Sequence, residues 1–334
     1  MRVLVTGSAG FIGRRLVQVL AESGHVVGGL DIREPPPESS LMTTNYVCDL
    51  LQRDALMAAV REFAPDAVVH LAARTDLDET VGLEGYAANV QGVSHLVDAI
   101  RSAPSVRRCL WTSSQLVCRM GYIPRHPTDY QPDTVYGKSK VRTEEIVREA
   151  DGAGREWALA RPTTIWGPGM NPHYQRFLRM IRGGTYFHVG HRPLLKSFGY
   201  VDNVAHQYVR LLTAPAQAVH GQTFYIADYE PNDLIAWCNA LQRTMKAPPI
   251  RTVPRGVARA LAWSGDVVNA LGFRRFPFNS FRLRNVLTEY QFSLENTEAV
   301  CGPMPFSMEQ GVDRTVAWFA GSGQVPTSER SSSS

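Results

Sequence analysis

The chain has 334 residues, 44% hydrophobic and 20% charged, a balance ordinary for a soluble globular protein and enough for one large domain or two. Its formal charge of +4, from 35 Lys and Arg against 31 Asp and Glu, is too mild to imply a nucleic-acid partner. No apolar run reaches the roughly 18 to 20 residues of a membrane-spanning helix, and Cys48, Cys109, Cys118, Cys238 and Cys301 form no C-x-x-C pair, which argues against a disulfide framework and a zinc centre.

The N-terminal "MRVLVTG" enters a strand-like run with no signal-peptide layout, so a cytoplasmic location with reduced thiols and no metal is expected. Strands are predicted at 2–7, 25–30, 45–48, 67–72, 108–113 and 157–162, with helical patterns between them. In the first of these patterns Ile12, Leu16, Val19 and Leu20 recur at helical spacing. Such alternation predicts an α/β fold built on a doubly wound parallel sheet, and near-continuous apolar strands suit a sheet covered on both faces.

From 166 to 196 the chain turns rich in Gly, Pro and aromatics. "SFGYVDNVAHQYVRLL" then reads as strand, turn and helix, with Asp202 or Asn203 as cap and Val204, Tyr208, Leu211 and Leu212 on one face. Another strand follows at 223–227. The expected organisation is a sheet domain of residues 1–165 to which 197–229 return, and a mainly helical second domain of residues 166–196 and 230–320. A disordered tail is expected over 321–334, which closes in "SERSSSS".

"VTGSAGFIG" places Gly7, Gly10 and Gly13 directly after a strand and at the opening of a helix. Gly7 permits the tight turn, Gly10 lets a pyrophosphate approach the backbone, and Gly13 lets helix and strand pack closely. The helix N-terminus at Phe11 and Ile12 adds unpaired amides and a favourable dipole for phosphate. Asp31, 24 positions after Gly7 at the end of the second strand, can accept from a ribose 2′-hydroxyl and repel a 2′-phosphate, favouring NAD over NADP. Arg33 softens that preference. At the next strand ends, Asp49 and Leu50 in "CDL" can meet an adenine edge, with a plain turn role for Asp49 equally open. Leu71, Ala72 and Ala73 in "HLAA" let the chain pass close to the cofactor, while His70 is read as a half-buried histidine without a role.

Tyr136 and Lys140 stand four apart in "DTVYGKSK", on one face of a helix. Oxidising a secondary alcohol with NAD needs a base for the hydroxyl proton, and an unperturbed tyrosine, with a pKa of about 10, needs help to act near neutrality. A lysine ammonium one turn away favours the tyrosinate, and it can also hold the nicotinamide ribose.

"TGSAGFIG", Asp31, "HLAA", "TSS" at 112–114, "YGKSK" and "RPTTIWGPG" occur in that order. Together they resemble the extended short-chain dehydrogenase/reductase family, and within it the NAD-dependent epimerase/dehydratase group that acts on nucleotide sugars. The resemblance is specific over residues 1–230 and looser to about 320. It implies a Rossmann-type NAD domain, a smaller, mainly helical C-terminal substrate domain, and a homodimer through the helices bearing Asn89 and Tyr136. It also implies that Ser114 completes the catalytic set, with Ser113 the near alternative and a cofactor neighbour. By the same pattern Asn89 lies beside the site, Pro162 abuts the nicotinamide, and Arg161 is structural.

Dehydratases of this group carry an acidic pair after the Ser or Thr, where this chain has Gln115 and Leu116. The expected reaction is therefore C4 epimerisation of a nucleotide sugar, with an NAD(P)-dependent dehydrogenase or ketoreductase, including a 3β-hydroxysteroid type, as the alternative. A non-catalytic NAD-binding regulator is disfavoured, since such proteins commonly lose the tyrosine or lysine. Arg251, Arg255, Arg259, Arg274, Arg275, Arg282 and Arg284 are opposed in their interval only by Asp266. Arg282 and Arg284 are the chosen partners for a diphosphate. The apolar-rich stretch 257–273 among them is compatible with an anionic membrane surface, and ordinary core packing explains it as well and is preferred.

Overall fold

The computed structural model describes residues 1–34, 42–77, 82–270 and 278–322. Arg274, Arg275 and positions 323–334 of the expected tail lie outside the described residues. Gly321 and Ser322, assigned to that tail, instead close the helix Met308–Ser322.

Contacts divide the chain into two compact units. The first comprises Met1–Ile165, Ser197–Pro231 and Tyr290–Pro305, and the second Trp166–Lys196, Asn232–Glu289 and the chain from Phe306 onward. The segment 290–305, placed with the second domain on sequence, belongs to the first unit. The rings of Tyr225 and Phe292 stack 4.1 Å apart, and Thr297 Oγ1 donates to the Tyr225 carbonyl at 2.8 Å. A short amphiphilic segment has too little pattern to announce such a return.

Among the described residues of the first unit, seven strands form one sheet: β1 Arg2–Thr6, β2 Val26–Asp31, β3 Thr44–Val47, β4 Ala67–His70, β5 Arg108–Thr112, β6 Glu156–Pro162 and β7 Gln222–Ile226. Their order is β7-β6-β5-β4-β1-β2-β3, and every pairing is parallel. The helices α1 Phe11–Glu22, α2 Arg53–Phe63, α3 Ala87–Arg101, α4 Val135–Glu149 and α5 Val201–Thr213 belong to the same unit. Leu4, Val68, Trp111 and Leu159 of the sheet share a core with Phe63, Leu96, Ile100 and Val147 of the helices. Strand order reverses beside β1, and in such sheets the ligand crevice lies at the carboxyl ends of the strands around that point.

The predicted face of α5 is buried at Val204, Tyr208, Leu211 and Leu212, but its cap is not the expected one. Tyr200 is the N-cap residue, without a side-chain cap bond. Asp202, inside the first turn, accepts from the Tyr200 hydroxyl at 2.9 Å and pairs with Arg15 of α1. Asn203 donates to Asp228 at 2.8 Å. Both acid and amide are held by tertiary partners, which outcompete a cap role.

In the second unit, Phe187–Val189 and Arg251–Val253 pair in parallel. Helix Leu234–Thr244 brings Trp237 against Trp166 and stacks it on Phe177, at ring separations of 5.4 and 5.5 Å.

One ion pair in the first unit is fully buried. Arg161, at the end of β6, donates from Nε and Nη2 to the two oxygens of Glu144 on α4, at 2.7 and 2.8 Å. Tyr130 donates to the same carboxylate at 2.9 Å, and Arg161 also donates to the Pro127 carbonyl. Burial alone would raise the Glu144 pKa, but the bonds and charge of Arg161 outweigh it and hold the carboxyl below its usual range. Because one bare buried guanidinium costs several kcal/mol, Glu144→Gln is expected to destabilise the fold by about 3 kcal/mol in urea unfolding. A change below about 1 kcal/mol would show the pair to be dispensable.

His70 is fully buried rather than half-buried. Its Nδ1 pairs with Thr6 Oγ1 at 2.8 Å, and its ring meets the edge of Trp111 at 5.6 Å. Burial, reinforced by the charge of Lys140, pushes its pKa down to about 3 from 6.5. Between these values only the unfolded chain binds the proton, so this contribution to stability is lost as pH falls below 6.5. Each pH unit costs about 1.4 kcal/mol, hence about 2 kcal/mol between pH 6.5 and 5. His70→Asn, which retains an acceptor for Thr6, should flatten that part of the stability profile, and identical slopes for the two proteins would contradict it.

Candidate active site

The glycine loop is shaped by close backbone approach. Gly7 has φ +72°, and a Cβ there would lie 2.6 Å from the Ala72 nitrogen. A Cβ on Gly13 would lie 2.1 Å from the Gly7 carbonyl oxygen, so only glycine lets α1 settle on β1. The N-cap of α1 is Gly10, with no side-chain cap bond, leaving the first-turn amides of Phe11, Ile12 and Gly13 to an external acceptor.

Asp31 lies beside this loop and is buried. Its Oδ2 accepts from the Ala9 amide at 3.0 Å, and its Oδ1 accepts from the Arg33 amide at 3.1 Å and Nε at 3.3 Å. The carboxylate is thus fixed at the end of β2, with an exposed guanidinium beside it. Cradle, uncapped helix start and fixed acid are together the donor and acceptor set that a dinucleotide with a free 2′-hydroxyl requires.

The other predicted cofactor positions divide into those at strand ends and those that act through packing. Asp49 Oδ1 accepts from the Leu51 amide at 2.9 Å in a tight turn, and Leu50 points into the core. Leu71, Ala72 and Ala73 are half-buried beyond β4, with the Leu71 amide bonded to the Thr6 carbonyl at 3.0 Å. Pro162 is buried as the last residue of β6. Asn89, fully buried on α3, spends its amide on the protein. Its Oδ1 accepts from the Arg74 amide at 2.9 Å, and its Nδ2 donates to the Arg74 carbonyl at 2.9 Å and to Ser139 Oγ at 3.0 Å. It therefore braces α4 against α3 and the loop after β4.

Thr112, Ser113 and Ser114 follow one another at the end of β5. Ser113 is buried, and its amide donates to the Ala160 carbonyl at 2.7 Å. Ser114 Oγ accepts from the Leu116 amide at 3.1 Å, and its hydroxyl is near enough to Tyr136 to act on that phenol's pKa. Thr134 caps α4 by accepting from the Gly137 amide at 2.9 Å, which sets the helix start and with it Tyr136. Of the two serines left open by sequence, Ser114 is the one whose hydroxyl bears on the tyrosine.

Burial pushes Tyr136 up to about 12, while the Ser114 hydrogen bond pulls it back and nearby Tyr86 adds to the rise. Burial lowers Lys140 to about 8, against the opposing pull of Glu144. Lys140 Nζ donates to the Thr112 carbonyl at 2.7 Å. Tyrosine and lysine thus share a helix face, as the spacing predicts, yet the resting tyrosine is a neutral phenol.

Several residues at the site were not singled out on sequence. Glu144 stands one further turn along the Tyr136–Lys140 face, and the same four-residue spacing could have found it. Ser139 donates to the Tyr136 carbonyl at 2.7 Å. Tyr208 pairs its hydroxyl with Thr112 Oγ1 at 2.8 Å across 96 positions, for which no local pattern exists. Arg282 and Arg284 lie in the second unit, both exposed on helix Ser280–Leu287. Residues two apart on a helix project to opposite sides, so the pair cannot act as one fork on a single diphosphate. Among the described residues no group of His, Cys, Asp or Glu could hold a metal ion.

A family model described as the NAD dependent epimerase/dehydratase family matches residues 3–227. The chain belongs to that family. NAD is accordingly its cofactor, in keeping with the cradle and Asp31. An N-acetyl-alpha-D-glucosaminyl-diphospho-ditrans,octacis-undecaprenol 4-epimerase of Escherichia coli O157:H7 is 26% identical over 95% of this chain and 94% of its own length. A 3-beta-hydroxysteroid dehydrogenase of Mycolicibacterium neoaurum is 30% identical over 95% of this chain and 91% of its own. Among solved structures, a UDP-glucuronic acid 4-epimerase from Bacillus cereus in complex with UDP-glucuronic acid and NAD superposes with a TM-score of 0.73 at 18% identity. It covers 96% of this chain and 99% of that one, a likeness of fold.

The Asp31 carboxylate predicts a definite cofactor preference. Asp31→Asn keeps an acceptor for Ala9 but removes the charge, so NADH should bind about tenfold more weakly and NADPH more tightly, as the loss of one charge-assisted hydrogen bond implies. Fluorescence titration with the two nucleotides measures the ratio. An unchanged ratio would remove Asp31 from the selectivity.

Proposed function

We propose that the protein is an NAD-dependent C4 epimerase of a sugar carried on a diphosphate, a nucleotide sugar being the first candidate. One observation carries this reading: Lys140 of α4 bonds the Thr112 carbonyl at the end of β5, two residues before Ser114 and one helical turn after Tyr136, with neutral Gln115 and Leu116 where an elimination would need acids. Such a set handles one proton at one oxygen, which suits reversible oxidation and little else.

In this reading Ser114 Oγ donates to the sugar oxygen and orients it toward Tyr136. Tyr136 Oη takes the hydroxyl proton as the alcohol is oxidised. Lys140, kept near by its bond to Thr112, offsets the phenolate charge. Bound NAD supplies the hydride acceptor and donor beside this oxygen. Tyr136 then returns its proton after the keto sugar has presented its other face, so acid and base are the same residue. Asn89 and Ser139 hold the first turns of α4 while this happens.

A hydroxysteroid or other alcohol dehydrogenase is the second reading, supported by the 30% identical relative. The same assay separates them. With UDP-hexoses and a polyprenyl-diphospho-N-acetylhexosamine, the epimerase reading expects interconversion of C4 epimers by NMR with no accumulation of absorbance at the NADH band. Steady NADH production matching alcohol consumption would instead make it a dehydrogenase. For Tyr136→Phe, turnover should drop by about 10³-fold, within the usual range for loss of a general acid–base, while NADH still binds. Activity within tenfold of wild type would remove Tyr136 from the proton path.

A further inference from the structure

Helix Arg255–Ala270 of the second unit is built inside out. Its fully buried residues are small: Ala258 and Ala262 pack in a core with Val189 and Leu283. Its large apolar residues face outward, with Val257 50%, Leu261 45%, Trp263 68% and Val267 39% exposed. At about 100° per residue, Val267, Trp263 and Val257 lie within roughly 60° of the line opposite Ala258 and Ala262, and Leu261 flanks them. A core helix would place these four inward, and scattered exposure would not align them.

Beside this face the helix carries two arginines and one acid. Arg255 and Arg259 are exposed on the same helix, Arg259 one turn before Trp263, and exposed Arg251 opens the preceding strand. The helix has a single acid, Asp266, which accepts from the Ser280 amide at 3.2 Å. No helix among the described residues is long and apolar enough to cross a membrane.

We infer that this face docks on an anionic phospholipid surface, with Val257, Leu261, Trp263 and Val267 entering the headgroup boundary and Arg255 and Arg259 meeting phosphate. The combination of apolar side chains, a tryptophan and flanking arginines is that of a helix lying in the interface plane. Charge complementarity chooses this occupant over a second copy of the chain. A two-fold contact through the face would bring its arginines close to their own counterparts with one acid per copy to offset them. The surface is independent of the reaction proposed above.

Flotation of the full chain with vesicles tests it. The protein should float with phosphatidylcholine/phosphatidylglycerol vesicles at low salt, at least fivefold less with phosphatidylcholine alone, and less again as salt rises. Leu261→Ser with Trp263→Ser should abolish flotation, and Arg255→Glu with Arg259→Glu should do the same. All four side chains are exposed, so unchanged thermal unfolding and unchanged NADH binding are expected alongside. Failure of the wild type to float, or flotation unaffected by either double variant, overturns the inference. So does a dimer in sedimentation velocity that the Leu261/Trp263 variant dissolves while the wild type ignores vesicles. Because turnover of a soluble UDP-hexose is measured separately, loss of one result leaves the other standing.

Discussion

The site depends on a single ridge of α4. Tyr136, Lys140 and Glu144 follow one another at four-residue spacing, so whatever fixes Glu144 fixes the reacting tyrosine two turns away. Glu144 is fixed by the forked bond from Arg161 at the end of β6, within a buried set that also holds Tyr130 and the Pro127 carbonyl. Taking both charges out of water is expensive, and two well-paired groups recover little net stability from it. What the pair supplies is position. It ties α4 to the strand whose last residue, Pro162, ends beside the crevice, while Asn89 and Ser139 tie the same helix to α3 from its other side.

Burial creates the electrostatic problem that this ridge then moderates. The same dry surroundings push Tyr136 toward its neutral phenol and Lys140 toward its neutral amine. Glu144 opposes the second shift, since a carboxylate one turn from Lys140 favours the ammonium. The chain of influence thus runs from Arg161, which keeps Glu144 ionised, through Glu144 to Lys140, and from there to the tyrosine. A tyrosine resting near 12 holds its proton tightly, and its phenolate, once formed, is a strong base. A phenolate formed there would need a nearby cation to stabilise it, and Lys140 one turn along the helix supplies one.

The sheet and its crevice were legible because their cause is local. Apolar runs, glycine spacing and a strand-terminal acid are written in consecutive residues, and the strands begin and end within a residue or two of where those runs do. Tyr136 and Lys140 were legible for the same reason, as a helical spacing. The missed features are those made by distant residues. Tyr208 reaches Thr112 across the chain, and Asn203 spends its side chain on Asp228 rather than on a cap. The return of 290–305 rests on a ring stack between Tyr225 and Phe292 that no periodicity records. Helix Arg255–Ala270 shows the opposite failure: its apolar count suggests packing, and only the fold reveals that alanines take the inward side.

Gln115 gives the sharpest link between one residue and reaction type. It follows Ser114 directly, its side chain is buried, and its Oε1 has no hydrogen-bond partner among the described residues. An amide there has no proton to exchange near neutral pH, so it cannot serve the acid and base steps by which a keto sugar would lose water. A carboxylate in the same buried place would have its pKa raised by desolvation and could carry a proton at neutrality. The difference between hydride exchange alone and elimination thus reduces to whether this buried position is ionisable. Glutamine in this place supplies no such proton, whereas Tyr136 on α4 carries an ionisable hydroxyl.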